Sequence, residues 1–238
     1  MNILVACDNR VDGGDQLENR VDFYTGIHKG QRARFSTIGV RAGALNSKDK
    51  NSIQALEKEI IAFRDHMFLH AHLEEKFIHP LLSRRTPGGA DRLEEDHRIM
   101  HKQLDNLVAD FGEIGKSPMD FEKQEDLSLE FYRAWNRFAS FYLNHIDYEE
   151  EYVMPTLWKL CTLNELSDKF RQILADQTPP QLMDNLAMVL PAMNPDERQL
   201  ILRMGKSTMP PEAFEGILKL AERVLAPEDW AKLKSALT

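Results

Sequence analysis

The feature that most constrains this chain is a ten-residue frame that occurs twice. The first copy reads His70-Ala71-His72-Leu73-Glu74-Glu75-Lys76-Phe77-Ile78-His79-Pro80. The second, 75 residues later, reads His145-Ile146-Asp147-Tyr148-Glu149-Glu150-Glu151-Tyr152-Val153-Met154-Pro155. Each begins with His, places Glu four residues on, and then has a second Glu, an aromatic, a β-branched residue and Pro. One His-x-x-x-Glu arises easily by chance; the same frame twice does not. On a helix, residues four apart share one face about one turn apart. An imidazole and a carboxylate so placed can converge on one ion, so two such helices can supply a two-metal site.

The stretches around the frames are helical by periodicity. From about Val21, an apolar stripe runs through Phe23, Tyr24, Ile27, His28, Phe35 and Ile38, the spacing of one buried helical face. Gly26 and Gly30 interrupt it, each costing a helix about 1 kcal/mol relative to Ala, which a close-packed neighbour would justify. Asn46-Ser47-Lys48-Asp49 supplies cap-type residues before a second helix. Its stripe is Ile53, Leu56, Ile60, Phe63, Met67, His70, Glu74, Phe77 and Leu81. His70 and Glu74 thus stand on the inward face, where desolvation must be compensated, and a bound cation is the simplest compensation. His66 lies one turn before His70, His72 falls on a solvated face, and His79 reads as a helix-end residue favoured by the dipole.

Thr86-Pro87-Gly88-Gly89 breaks the chain. A third helix from near Asp91 carries His97 and His101, again four apart on an apolar face. After a turn over 112–118, a fourth helix runs from about Phe121 to Leu160. Its stripe is Leu127, Phe131, Trp135, Phe138, Tyr142, His145, Glu149 and Tyr152, an inward polar pair in a wall of aromatics. Four helices with short connections predict an all-α, up-down-up-down four-helix bundle over residues 21–160. Residues 1–20 are expected to form a flexible arm. Residues 161–238 contain no histidine and read as an extension of short helices, with starts at Thr178-Pro179-Pro180, Asn194-Pro195-Asp196-Glu197, Met209-Pro210-Pro211-Glu212 and Ala226-Pro227-Glu228-Asp229. Pro in the first turn with acidic residues following is a helix-start signature. This extension is expected to cap the bundle or to serve as a self-association surface, with a partner-binding regulatory module as the alternative.

A net charge of −8 offers no basic footprint for nucleic acid or anionic membrane. The two cysteines, Cys7 and Cys161, make neither a disulfide framework nor a thiolate metal site. No apolar run approaches the ~20 residues a membrane helix needs, and the opening residues lack the pattern of a secretion signal. A cytoplasmic location is the expectation. Imidazole and carboxylate donors suit iron, manganese or zinc, and the lack of thiolates argues against copper(I) and iron–sulfur clusters.

The order His28; His70 and Glu74; His97 and His101; His145 and Glu149 resembles the hemerythrin-like, HHE cation-binding family over roughly residues 21–160. That resemblance implies a non-haem centre of two iron ions bridged by two carboxylates, with manganese or zinc as substitutes. It implies His28, His70, Glu74, His97, His145 and Glu149 as ligands. It implies His101 as well, matching a second third-helix histidine of the oxygen-carrying members. Those members carry a carboxylate five residues after the last histidine, here Glu150, so by register either Glu149 or Glu150 can bridge; Glu149 has the HHE spacing. The family's expected role is to bind or sense O2 or NO, or to respond to iron and redox state. The alternative is a two-iron enzyme (oxidase, peroxidase or NO-detoxifying reductase) on the same ligands. Ferritin-like enzymes place Glu before His; here the order is reversed.

Overall fold

The computed structural model describes residues 20–116 and 121–237; the expected N-terminal arm lies outside the described residues except for Arg20. The elements in chain order are α1 (Thr25–Gly43), α2 (Lys50–Leu73), π1 (Glu74–Ile78), α3 (His79–Arg85), α4 (Asp91–Ile114), α5 (Phe121–Tyr148), π2 (Glu149–Val153) and α6 (Met154–Leu160). Five further helices follow: α7 (Leu163–Ala175), α8 (Pro179–Ala192), α9 (Pro195–Thr208), α10 (Pro211–Val224) and α11 (Pro227–Leu237). The described residues form no strand, and the chain is a helical bundle followed by short helices, as its periodicity predicts.

The described residues divide into two compact units, one within Arg32–Tyr148 and one formed by residues 20–31 and 149–237. The first is built on aromatics. Phe35 meets Phe63 edge-on with ring centroids 4.7 Å apart, Phe111 meets Phe131 at 4.7 Å, and the fully buried Trp135 lies 5.4 Å from Phe35. Such pairs add about 0.5–1.5 kcal/mol beyond their burial. The Trp135 indole N–H donates to the Phe35 carbonyl at 3.2 Å, so no polar atom of that ring is stranded. The Asp49 carboxylate caps α2, accepting from the amides of Asn51 and Ser52. Thr86–Gly89 forms a turn with Gly88 at φ +74°, a conformation glycine adopts without strain.

In the second unit, the start of α1 is held by side chains. The Asp22 carboxylate accepts from the amides of Tyr24 and Thr25 at 2.8 and 3.0 Å, and the Trp158 indole N–H donates to the Val21 carbonyl at 2.8 Å. This delays α1 to Thr25, four residues after the onset of the stripe at Val21. The glycines differ in purpose. A Cβ on Gly30 would lie 3.2 Å from the Met188 carbonyl oxygen and the Val189 Cα, so bare backbone is what lets α8 approach. A Cβ on Gly26 would make an ordinary 3.6 Å contact with Met193. The four proline-led helices begin within the expected segments, at Pro179, Pro195, Pro211 and Pro227. Capping boxes hold the first two starts, Thr178 with Gln181 and Asn194 with Glu197. Helix α7, which sequence periodicity left unassigned, starts on a third capping box, Thr162 with Glu165. Leu190, Leu202, Ile217, Ala221, Leu225 and Leu233 form a buried apolar cluster among these helices.

The π turns are the main departure from the expected pattern. Helices α2 and α5 each pass into one π-helical turn, and each turn begins at the glutamate of the repeated frame. A π turn closes i→i+5 instead of i→i+4 and so holds one extra residue. The His79 amide accordingly donates to the Glu74 carbonyl. Beyond the glutamate, the buried side shifts one residue along the chain. Ile78, His79, Val153 and Met154 are buried, whereas Tyr152, expected on the inward stripe, is 63% exposed and Phe77 is half-buried. His79 therefore stands inside a helix that continues to Arg85, not at a helix end.

Candidate metal centre

In the unit Arg32–Tyr148, the carboxylate of Glu74 is the hub. Its Oε1 lies 3.2 Å from Nε2 of His70 one turn back on α2, and its Oε2 lies 3.3 Å from Nε2 of His97 on α4. Two oxygens of one carboxylate thus face two imidazoles from two helices, the disposition of a bridging ligand. The rings of His97 and His145 lie 5.0 Å apart, and those of His97 and His79 are stacked at 5.1 Å. Glu74, His79 and His97 each present one ligand atom, and these atoms lie within 4.8 Å of one another. All three residues are at most 2% exposed.

In the other unit, His28 and Glu149 are fully buried, with His28 Nε2 3.4 Å from Glu149 Oε2. The neighbouring Glu150 takes the other side of the same ring, its Oε1 2.9 Å from His28 Nδ1. Glu149 therefore faces Nε2, and Glu150 faces Nδ1.

That division recurs. Asp96 Oδ2 lies 3.2 Å from Nδ1 of His145, and Glu75 Oε1 lies 3.0 Å from Nδ1 of His97. A carboxylate can only accept, so in each pair Nδ1 is the donor, the arrangement that turns Nε2 toward a metal. This is how protein metal sites orient a histidine ligand and raise its basicity. The hydrogen bond from His145, opposed in part by burial, holds the Asp96 carboxyl below its ordinary pKa.

The donor set and its spacing fit a metal. Ligand atoms about 2.1 Å from a common ion at octahedral or tetrahedral angles stand about 3.0 to 3.4 Å apart. The three Nε2–carboxylate separations, 3.2, 3.3 and 3.4 Å, fall within that range. Buried carboxylates among imidazoles would otherwise carry a desolvation cost of several kcal/mol per ion. Imidazole nitrogen with carboxylate oxygen is the chemistry of divalent iron, manganese and zinc sites.

The remaining histidines sort as follows. His101 packs its ring on Phe68, centroids 4.2 Å apart, and is not among the residues that converge with Glu74 among those described. Burial pushes its pKa down. His66 stacks parallel to His70, centroids 6.4 Å apart, and His72 is exposed as its place on the helix predicts. The residue that sequence periodicity missed is His79, because an α-helical projection places it off the face that the π turn returns it to.

No helix among the described residues is long and apolar enough to cross a membrane. No curated protein matches the chain. The family model of the hemerythrin HHE cation-binding domain matches residues 19–157, more than half of the 238-residue chain and a span that takes in both repeated frames. With that match and this ligand chemistry, the chain belongs to the hemerythrin HHE cation-binding family.

Proposed function

We propose that this chain is a cytoplasmic non-haem two-iron protein that binds O2 or NO, or reports iron and redox state. His28, His70, Glu74, His97, His145 and Glu149, the ligands that the family's pattern implies, would hold the ions. The observation that carries this reading is the Glu74 carboxylate, whose two oxygens face the Nε2 atoms of two different histidines. Bound iron would supply a reducible, Lewis-acidic centre able to take a small diatomic ligand. The residues supply what iron alone lacks. Asp96, Glu75 and Glu150 hold three imidazoles with Nε2 available, and Tyr142 and Phe138 continue the aromatic wall behind His145 and limit water. For the helices beyond Cys161, the exposed Leu163 and Leu200 support a self-association surface, tested by sedimentation of the full chain.

The test of the metal reading is iron content with an optical spectrum, for the wild type and a Glu74→Ala, Glu149→Ala double variant. About two irons per chain are expected from the two bridging carboxylates, with near-ultraviolet charge-transfer bands that the double variant loses. Metal-free wild-type protein from iron-rich growth, with stability unchanged in the variant, would refute it. Reversible spectral change on adding O2 or NO supports the binding role; steady consumption of NO or peroxide would replace it with an enzyme.

A further inference from the structure

The two copies of the frame are not equivalent at the residue before the proline. The first copy has His79 there and the second has Met154. Both follow a π turn, and both are 1% exposed. The Met154 thioether accepts a hydrogen bond from the Phe23 amide at 3.5 Å, so it is engaged elsewhere and is in any case a soft donor poorly suited to ferrous or ferric iron. His79 is different in kind. It is an imidazole in which both ring nitrogens are buried, and it lies beside the carboxylate that faces His70 and His97.

We propose that His79 is a metal ligand, joining Glu74 and His97 on one ion, a role that rests on the two-iron reading above. The i→i+5 closure between the Glu74 carbonyl and the His79 amide returns position 79 to the side of the helix that carries the Glu74 carboxylate. An α-helical turn would have put Ile78 there. The π turn therefore lets one chain segment offer two ligands five residues apart. The ligand atoms of Glu74, His79 and His97 all lie within 4.8 Å of one another. Trans ligands on one ion stand about 4.2 Å apart, so sub-ångström side-chain shifts close the group. His101, packed on Phe68, is then not required to complete the imidazole count. The ion beside His97 would then be held by an imidazole that has no counterpart in the second frame, where Met154 stands.

The test uses the full chain, freed of metal and titrated with Zn2+ and with Co2+, comparing wild type, His79→Met and His101→Phe. His79→Met copies the second frame and preserves apolar volume, and thermal melting of the metal-free proteins checks that each variant folds. Wild type is expected to bind two ions. His79→Met should lose at least tenfold in affinity at one ion, with a changed visible Co2+ spectrum at that site alone, while His101→Phe retains both. Two ions bound with unchanged affinity and spectrum in His79→Met would overturn the assignment of His79 and leave the two-iron reading intact. The loss appearing in His101→Phe instead would overturn it equally. A wild type that binds neither ion would remove the two-iron reading itself and this inference with it.

Discussion

Glu150→Gln keeps the shape of the side chain that meets His28 Nδ1 but removes its charge. The 2.9 Å contact is to a residue only 17% exposed, so solvent screens it weakly. A neutral amide can also turn its NH2 group toward the ring, which lets the proton move to Nε2 and blocks the lone pair needed by the metal. Loss of such a supporting carboxylate lowers metal affinity by about 10- to 100-fold, or about 1.4 to 2.8 kcal/mol. The parallel changes should rank by exposure first, which sets the solvent screening, and by contact length second. Asp96→Asn acts through a 3.2 Å contact from a side chain equally 17% exposed, and Glu75→Gln through a 3.0 Å contact from one that is 42% exposed. The expected order of loss is Glu150, then Asp96, then Glu75. Competition of the loaded proteins against a graded series of chelators measures it, with Asp147→Asn, an exposed neighbour in the same frame, as the control. A Glu75 loss larger than that of Glu150, or an Asp147 loss equal to it, would refute the tautomer reasoning.

The two glycines of α1 should respond with opposite sign to alanine. Gly26→Ala is expected to raise stability by up to about 1 kcal/mol through helix propensity, because its Cβ meets only Met193 at ordinary distance. Gly30→Ala should lower it, because its Cβ meets backbone of α8 at 3.2 Å; urea melts of the two variants decide this. The cap of α2 gives a pH signature. Hydrogen bonds from the Ser52 hydroxyl and amide hold the Asp49 carboxyl below its ordinary value of 3.8. A depressed carboxyl contributes stability above its unfolded pKa and loses it as pH falls through the folded one. Asp49→Asn should therefore melt lower than wild type near neutrality, and the gap should close in acid. A gap that stays constant with pH would show that the cap charge contributes nothing.

Much of this was legible in residue spacing because it depends on ideal helix geometry. His70, Glu74, His145 and Glu149 lie within the α-helical register, and Pro179, Pro195, Pro211 and Pro227 each start a helix by a local rule. The capping box that starts α7, Thr162 with Glu165, is likewise a local sequence signal. His79 and Tyr152 were misplaced for a different reason. A π turn inserts one residue without any distinctive composition, and the positions late in it or directly after it, such as Tyr152 and His79, move off an α-helical projection. The carboxylates on the Nδ1 atoms could not be read either. Asp96 and His145, like Glu75 and His97, come from different helices, and their pairing depends on how those helices pack.

The buried guanidinium of Arg198 reaches three parts of the chain. It donates through Nε to the Leu190 carbonyl at 2.8 Å and through Nη2 to the Pro191 carbonyl at 3.2 Å, and pairs through Nη1 with Asp229 at 2.8 Å. The end of α8, the first turn of α9 and the first turn of α11 therefore share one cation. Lys206 and Arg203 add bonds from α9 to the carbonyls of Leu237 and Ala236. Fraying of α11 would leave Arg198 without its acid partner and weaken the closure of α8. These three helices should open together, as one cooperative unit in hydrogen exchange. A chain cut before Pro227 would then lose protection as far back as Leu190, far more than the removed helix alone.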